Sequence, residues 1–152
     1  MTKIAYLSQV GQLTRRITYH TERLLRLRRE ADAVSSIRLG MGGGHVSSAD
    51  APFARMLERI EEAGEELEKE NDLLDRLRAQ AEASILSLKE EKLRLVLLYR
   101  YLEEKTFLQI GDLLYMDKSS AIRNHRKALE SLELPEDCIE IPQFAPDAPI
   151  AS

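Results

Sequence analysis

The chain lacks several residue types that define common protein classes. Its 152 residues include no tryptophan, one cysteine and 7 glycines, and only 5% are aromatic. Few aromatic residues together with 32% charged residues are typical of long helices and argue against a sheet protein. The lone Cys138 excludes an internal disulfide framework and is typical of a reducing cytosol.

Long apolar runs are also missing at the start of the chain. The first residues, MTKIAYLSQVGQLTRR, interrupt apolar positions with polar ones every few residues. A secretory signal or a membrane span needs a continuous apolar stretch, so this segment is predicted to be neither. We therefore expect a cytoplasmic protein.

The sequence does contain two long amphipathic patterns. The first has apolar residues at alternating spacings of three and four, and His20 occupies its one polar position. The apolar residues are Val10, Leu13, Ile17, Leu24, Leu27, Ala31 and Val34. The second has a seven-residue repeat formed by Phe53, Ile60, Leu67, Leu74, Ala81, Leu88, Leu95 and Leu102. Both patterns predict long helices with one apolar seam.

A glycine-rich segment separates the two helices, and GMGGGHVSSADAP predicts a loop over residues 40–52. Neither helix can bury its seam alone, so residues 1–88 are predicted to form an antiparallel, coiled-coil-like hairpin. Residues 1–39 hold eight basic and three acidic residues, a charge of +5, whereas residues 50–88 hold five and eleven, a charge of -6. The two arms are therefore expected to attract each other.

Matching the two seams gives a predicted register for the hairpin. Leu24 then pairs with Leu67, and His20 lies opposite Asn71. One buried polar pair can specify the register of two helices at some cost in stability. The alternative is that His20 and Asn71 turn separately toward solvent.

Residues 89–133 are predicted to form a small helical bundle. The segment from 90 to 103 is apolar on more than one face, as expected for a buried first helix. Ser87 and Glu90 match a capping box, so either a new helix begins near Ser87 or the preceding helix only bends there. Thr106 and Gln109 match a second capping box, which opens a helix through about residue 114.

This second helix is expected to present an apolar face formed by Phe107, Ile110, Leu113 and Leu114. Gly111 in its interior costs roughly 1 kcal/mol relative to alanine, which suggests that another helix crosses closely at this point. After a junction at Tyr115 and Met116, Asp117 is predicted to cap a third helix through about residue 132.

The third helix is predicted to bury four apolar residues, Ala121, Ala128, Leu129 and Leu132. Its other face carries donors, hydroxyl groups and one apolar side chain, the mixture that contacts phosphates and base edges. These candidate DNA-contacting residues are Lys118, Ser119, Ser120, Ile122, Arg123, Arg126 and Lys127. A capped short helix, a tight turn and a basic helix are typical of a helix-turn-helix, whose last helix enters the major groove of double-stranded DNA.

The net charge of -4 is unusual for a DNA-binding protein, but the charge is unevenly distributed. Residues 117–127 carry +3, whereas residues 133–152 hold five acidic residues and no basic one. Acidic residues elsewhere oppose promiscuous binding and concentrate the positive potential on one face.

The C-terminal pattern resembles region four of sigma-seventy-type factors, and more closely a version found in small regulators of Gram-positive phages and prophages. The matching residues are Arg100, Tyr101, Leu102, Thr106, Phe107, Ile110, Ser119, Arg123, His125, Ala128 and Leu129. With LSQVGQLTRRI, the glycine-rich break and the acidic second helix, the resemblance covers residues from about 5 to 133. It extends more loosely to the ArpU and RinA types of late transcription regulators. The resemblance implies transcriptional control in the cytoplasm of a bacterial host, with RNA polymerase as a possible partner.

Three residues depart from the pattern of that family. Tyr115 stands where the turn usually has glycine, so the junction must accept a side chain or a different backbone conformation. Ala121 and Asn124 stand where valine and another apolar residue are usual, which predicts looser packing of the last helix. These departures affect the expected DNA affinity more than the expected fold.

Catalysis has little support in the sequence, and no cofactor or metal is expected. His20, His45 and His125 lack metal-ligand spacing with one another or with Cys138. GMGGGH is not a phosphate loop, because no strand precedes it and no Gly-Lys-Ser/Thr follows.

Two other functions stay open at this point. One is a protein-interaction module or inhibitor of a host factor, in which the hairpin binds the partner or forms a homodimer. The other is a small-terminase-like subunit for DNA packaging, which combines a helix-turn-helix with helical oligomerisation. The acidic, proline-rich tail, 134–152, is predicted to be extended or disordered, with Ile139, Ile141 and Phe144 packing on the protein itself or on a partner.

Overall fold

The computed structural model describes residues 1–40 and 50–144, with only the backbone given for 38–40 and 50. Within these ranges the protein is all-α, as predicted, and no residue lies in a strand. The elements in chain order are α1 Lys3–Gly40, α2 Asp50–Leu86, α3 Glu91–Leu97, a π-helical turn Leu98–Leu102, α4 Phe107–Leu114 and α5 Lys118–Ser131.

The chain divides into two compact units. Unit 1 comprises Met1–Thr14 together with the described residues from Leu73 to Phe144, and unit 2 is Arg15–Asp72, of which 41–49 lie outside the described residues. Each of the two long helices contributes residues to both units. The predicted boundary at residue 88 therefore falls inside unit 1.

The core of unit 1 draws on the start of α1, the end of α2 and the C-terminal helices. Its largest fully buried side chains are Tyr6, Leu7, Val10, Leu13, Leu77, Ile85, Val96, Leu97, Ile110 and Leu132. Full burial of one such side chain contributes about 1.5–3 kcal/mol. The first turns of α1 thus belong to the same compact unit as the C-terminal helices, which the heptad pattern does not indicate.

Within unit 2, Leu24 and Ala31 of the first seam are buried. His20 bonds to Glu70 across α1 and α2, with the ring Nδ1 2.5 Å from Oε1. The predicted pairing of His20 with Asn71 is wrong, because Asn71 is exposed and donates to the Leu67 carbonyl of its own helix. Adjacent helical residues point about 100° apart, so only one of Glu70 and Asn71 can face α1.

The predicted glycine-rich loop, 40–52, falls mainly on residues 41–49, outside the described part of the chain. At its far end the prediction is wrong, since α2 already begins at Asp50 and includes Pro52. Proline is compatible with the first turn of a helix, because the backbone N–H groups there have no partner within the helix.

The long second seam is interrupted after α2. Ser87 Oγ donates to the Ser84 carbonyl at 2.6 Å, and α3 begins only at Glu91, with no side-chain cap. A new helix therefore does begin here, but the predicted Ser87–Glu90 capping box is wrong. Instead, Arg94 donates to the carbonyl of Leu88 at 2.7 Å, which satisfies a backbone group that the break leaves without a helical partner.

Part of the acidic tail is held in place by two glutamines. Gln9, which is 4% exposed, donates to the Ile139 carbonyl at 2.9 Å and accepts from the Ile141 amide at 2.9 Å. Gln80 donates to the Asp137 carbonyl at 2.8 Å and accepts from the Ile139 amide at 2.9 Å. We call Asp137–Ile141 the strap. It is extended but ordered, and it packs on its own chain.

Candidate nucleic-acid interface

Helix α4 is positioned by its cap and by one buried face. Thr106 accepts from the Gln109 amide at 3.1 Å, and the Gln109 side chain accepts from the Thr106 amide at 2.9 Å, so the predicted capping box is confirmed. Ile110 is fully buried and packs with Val96 and Ala121. Leu113 was predicted to face inward, but it is 45% exposed because Ile110 and Leu114 already occupy the buried face.

The turn between α4 and α5 explains the glycine at position 111. A Cβ atom on Gly111 would lie 2.5 Å from the backbone oxygen of Met116 and 3.4 Å from the carbonyl carbon of Asp117. The close neighbours are therefore the backbone of the turn and of Asp117, the N-cap of α5, so the glycine leaves room for the start of the next helix. The Met116 amide also donates to the Gly111 carbonyl at 2.9 Å, which ends the helix.

Tyr115 closes α4 in the left-handed conformation, with φ 56° and ψ 49°. Its side chain is 97% exposed and contributes almost no packing. A non-glycine residue in this conformation costs roughly 1–2 kcal/mol, because Cβ crowds the following carbonyl. The junction therefore accepts the side chain through backbone strain.

Replacing Tyr115 by glycine is expected to stabilise the protein by about 0.5–1 kcal/mol, since relief of strain exceeds the entropy that glycine adds to the unfolded chain. Urea denaturation measures the change. Tyr115→Ala is the control, because it removes the ring and keeps Cβ, and we expect it to be neutral. Equal stabilisation by both variants would contradict the role of backbone strain.

Helix α5 begins as predicted. Asp117 Oδ1 accepts from the Ser120 amide at 2.7 Å. The hydrogen bond from the Ser120 backbone, followed by the Ser120 side chain and the charge of Arg123, lowers the pKa of Asp117. The Asp117 carboxylate therefore stays ionised at neutral pH, and its negative charge interacts favourably with the positive end of the helix dipole.

The outer face of α5 presents most of the candidate DNA-contacting residues to solvent. The exposed ones are Lys118, Ser119, Arg123, Arg126 and Lys127, whereas Ser120 and Ile122 are half-buried. Arg123 donates to Ser120 Oγ at 2.9 Å, a contact within the helix. Lys127 lies 3.5 Å from Glu90, an exposed pair that contributes little. Among the described residues, no acidic side chain forms a salt bridge with Lys118 or Arg126, and Arg123 interacts with the nearby charge of Asp117.

Ala121 and Asn124, which depart from the pattern of the resembled family, have different surroundings on the inner face of α5. Ala121 and Ala128 are fully buried, as predicted, and allow α5 to pack closely on α3 and α4. Asn124 is half-buried, and its side-chain amide lies 3.5 Å from the Met116 sulfur. This weak contact ties the start of α5 to the turn.

His125 lies on the flank of α5, in contact with two aromatic rings. Its Nε2 is 2.6 Å from the Tyr101 hydroxyl, and its ring meets the edge of Phe107 at 5.0 Å between centroids. Burial, then the positive charges of Arg100 and Arg126, lower the pKa of His125. Burial raises the pKa of Tyr101. A neutral imidazole can accept a hydrogen bond from the Tyr101 hydroxyl at Nε2, whereas an imidazolium, which is protonated at both nitrogens, cannot.

This pair predicts a pH dependence of stability. Because the pKa of His125 is lowered on folding, the unfolded chain binds the extra proton first as the pH falls below about 6.5. The contribution of neutral His125 to stability is therefore present above that pH and is lost as the pH falls toward the folded pKa. Urea denaturation between pH 5 and 8 measures it, and His125→Gln is expected to flatten this part of the profile. An unchanged profile would contradict the assignment.

The π-helical turn Leu98–Leu102 places residues that the helical periodicity does not identify. It ends with the Glu103 amide donating to the Leu98 carbonyl at 3.1 Å. The wider turn allows Tyr101 and Leu102 to be buried in succession, while Arg100 lies 4.3 Å above the ring of Phe107. Arg100 and Tyr101 were noted in the sequence only through the resemblance to region four.

Comparisons with known proteins give no relative: no family model, no curated protein and no solved structure matches the chain. In the part of the chain that the structure describes, none of the helices combines the length and apolar character needed to cross a bilayer. The same residues contain no cluster of histidine, cysteine, aspartate and glutamate suited to a metal ion.

Proposed function

We propose that this protein is a DNA-binding transcriptional regulator of a phage or prophage, which acts at promoters through a helix-turn-helix like that of sigma region four. The observation that carries the proposal is the exposed basic face of α5, which follows a capped α4 and a tight turn. In a helix-turn-helix, the second of the paired helices inserts into the major groove and the first crosses the backbone.

The assignment of roles follows from position on α5. Lys118 and Ser119 lie in the first turn, where a recognition helix contacts base edges. Arg123 lies one turn further on the same face, and its planar guanidinium can bond to a guanine edge or to a phosphate. Arg126 and Lys127 are placed to contact phosphates, which add affinity without sequence information.

Binding to double-stranded DNA tests the proposal. Arg123→Ala combined with Arg126→Ala is expected to weaken binding roughly tenfold or more and to lower the salt slope by about 1 for each of the two arginines that contacts a phosphate. The DNA would be fragments selected by the intact protein from phage and bacterial genomic libraries. Gel shift and fluorescence anisotropy over a range of salt concentrations measure both quantities.

Lys89→Ala combined with Lys92→Ala is the matched control, because it removes the same charge from exposed positions outside α5. We expect this control to retain most of the affinity. Equal losses of affinity in the two double variants would show that only net charge matters, and would contradict a specific role of α5. Selection of no preferred fragment by the intact protein would contradict promoter recognition.

A second candidate is binding of a protein partner by unit 2. It is favoured by exposed apolar side chains on α1 and α2, namely Leu25 at 49% and Leu57 at 48%. Native mass spectrometry separates the possibilities: a monomer or dimer fits a regulator, and a large ring fits a packaging subunit. Leu25→Glu with Leu57→Glu would remove a dimer formed through these helices while leaving α5 unchanged.

A further inference from the structure

Unit 1 contains a cleft of about 390 Å³ beside α5, and two residues of the proposed DNA-reading face, Ile122 and Arg126, belong to its lining. Its apolar wall includes Phe107 and Leu129, and its polar groups are Ser8, Arg100, Arg126 and the ring of His125. None of the lining residues is acidic. Pockets of this size, with apolar walls and a few converging polar groups, are typical of small-ligand sites.

The positive charges of the cleft leave hydrogen-bond donors available to an anion. Arg126 has no ion-pair partner among the described residues, and the hydrogen bond shown for Arg100 runs from one nitrogen to the Lys105 carbonyl at 3.2 Å. After burial, the positive charges of both arginines lower the pKa of His125, so both act at the same place. A bound oxyanion would accept hydrogen bonds from the guanidinium groups and offset their charge.

The apolar side of the cleft indicates what the anion is attached to. Phe107 is held in place by Arg100 on one face and by the His125 ring at its edge, so it forms a fixed wall. Leu129 adds an aliphatic surface. An inorganic anion would leave the apolar surface of Phe107 and Leu129 exposed to water, whereas an anion with an attached ring would cover that surface.

We propose that this cleft binds a phosphate group attached to a compact apolar or ring-shaped moiety, with Arg100 and Arg126 holding the phosphate and Phe107 packing on the attached group. The chemistry is that of a free phosphate monoester or of a DNA backbone phosphate beside its sugar. The site shares Arg126 and Ile122 with the proposed DNA-reading face of α5, whereas Arg100 and Phe107 lie outside that face.

Phenyl phosphate is the probe, titrated into the full-length protein while the His125 ring is followed by NMR. We expect a dissociation constant on the order of 1 mM, given the ligand's size, together with a shift of the His125 signals and a rise in the pKa of His125. Inorganic phosphate should bind several-fold more weakly, because it cannot cover Phe107. Benzyl alcohol, which lacks the charge, should leave the signals unchanged.

Arg100→Gln is expected to weaken binding of phenyl phosphate at least several-fold, and Lys92→Gln, which removes an exposed charge elsewhere in unit 1, is expected to have no effect. Arg100→Lys is a second variant that keeps the positive charge. It shows whether the charge at position 100 supports binding even if Arg100→Gln disturbs the fold. Unchanged His125 signals on titration, or equal effects of the Arg100 and Lys92 variants, would overturn the proposal.

Duplex DNA identifies the source of the phosphate. If Arg100→Gln weakens both phenyl phosphate and DNA binding, the cleft accepts a backbone phosphate. If it weakens only phenyl phosphate, the ligand is a free monoester. Failure of the intact protein to bind DNA, with phenyl phosphate still bound, would reject the proposed function and leave this site supported.

Discussion

Gly111→Ala is expected to destabilise the protein by roughly 2–3 kcal/mol, although helix propensity alone predicts a gain of about 1 kcal/mol. The added Cβ would lie 2.5 Å from the backbone oxygen of Met116. This contact cannot be relieved by rotating a side chain, because both atoms belong to the backbone or are fixed by it. The turn must therefore shift, and α5 with it. Urea denaturation measures the loss of stability.

Gly64→Ala is the matched control for this substitution. Gly64 also lies inside a helix, α2, but its added Cβ would meet nothing within 4 Å. There the helix propensity should prevail, and a stabilisation of roughly 1 kcal/mol is expected. The two substitutions are chemically identical, but their expected effects on the free energy of unfolding are opposite in sign. A stabilising Gly111→Ala would contradict the close packing of α4 on the turn.

Gln9→Ala is expected to cost about 2 kcal/mol, the second-largest effect. The substitution removes both side-chain hydrogen bonds from Gln9 to the strap and leaves the Ile139 carbonyl and the Ile141 amide without these partners. Each lost hydrogen bond contributes about 1 kcal/mol, and an unsatisfied half-buried backbone group adds to the cost. Calorimetry and hydrogen exchange of the Ile141 amide measure stability and release of the strap.

Gln12→Ala tests whether this effect is specific, because Gln12 lies on the same helix and is exposed. We expect that variant to be close to neutral. Gln80→Ala should resemble Gln9→Ala, since Gln80 contacts the same strap. It would also remove the acceptor of the Tyr6 hydroxyl, which donates to Gln80 at 2.7 Å. Burial, with a smaller contribution from Cys138, raises the pKa of Tyr6 to about 12. Fast exchange at Ile141 in the unmodified protein would contradict an ordered strap.

Local signals in the sequence predicted the C-terminal helices well. The Thr106 capping box and the Asp117 cap are short-range hydrogen-bonding patterns, so their positions follow from neighbouring residues alone. The predicted Ser87 box is wrong because Ser87 Oγ donates to the Ser84 carbonyl of the preceding helix, and the new helix begins only at Glu91. The Gly111 prediction identified a close approach of the next helix, and the structure places that contact at the turn and at the N-cap of α5.

The candidate interface could be predicted only in part. Periodicity placed Arg123 and Arg126 on the outer face of α5, and both are exposed. The cleft beside them could not be predicted, since it needs residues from α1, from a π-helical turn and from α5. A π-helical turn adds a residue to the local helical repeat, so it displaces Arg100 and Tyr101 from the positions that a regular helix would give them.

The sequence by itself determined the helical class, the two long amphipathic helices, and the caps and basic face of the C-terminal pair. These features depend on residue periodicity and on contacts a few positions apart. Only the tertiary structure decided that the first turns of α1 belong to the same compact unit as the C-terminal helices, that His20 meets Glu70, and that Gln9 and Gln80 hold the strap. Such contacts join residues that are 50 to 132 positions apart in the chain, and local pattern carries no information about which distant side chains meet.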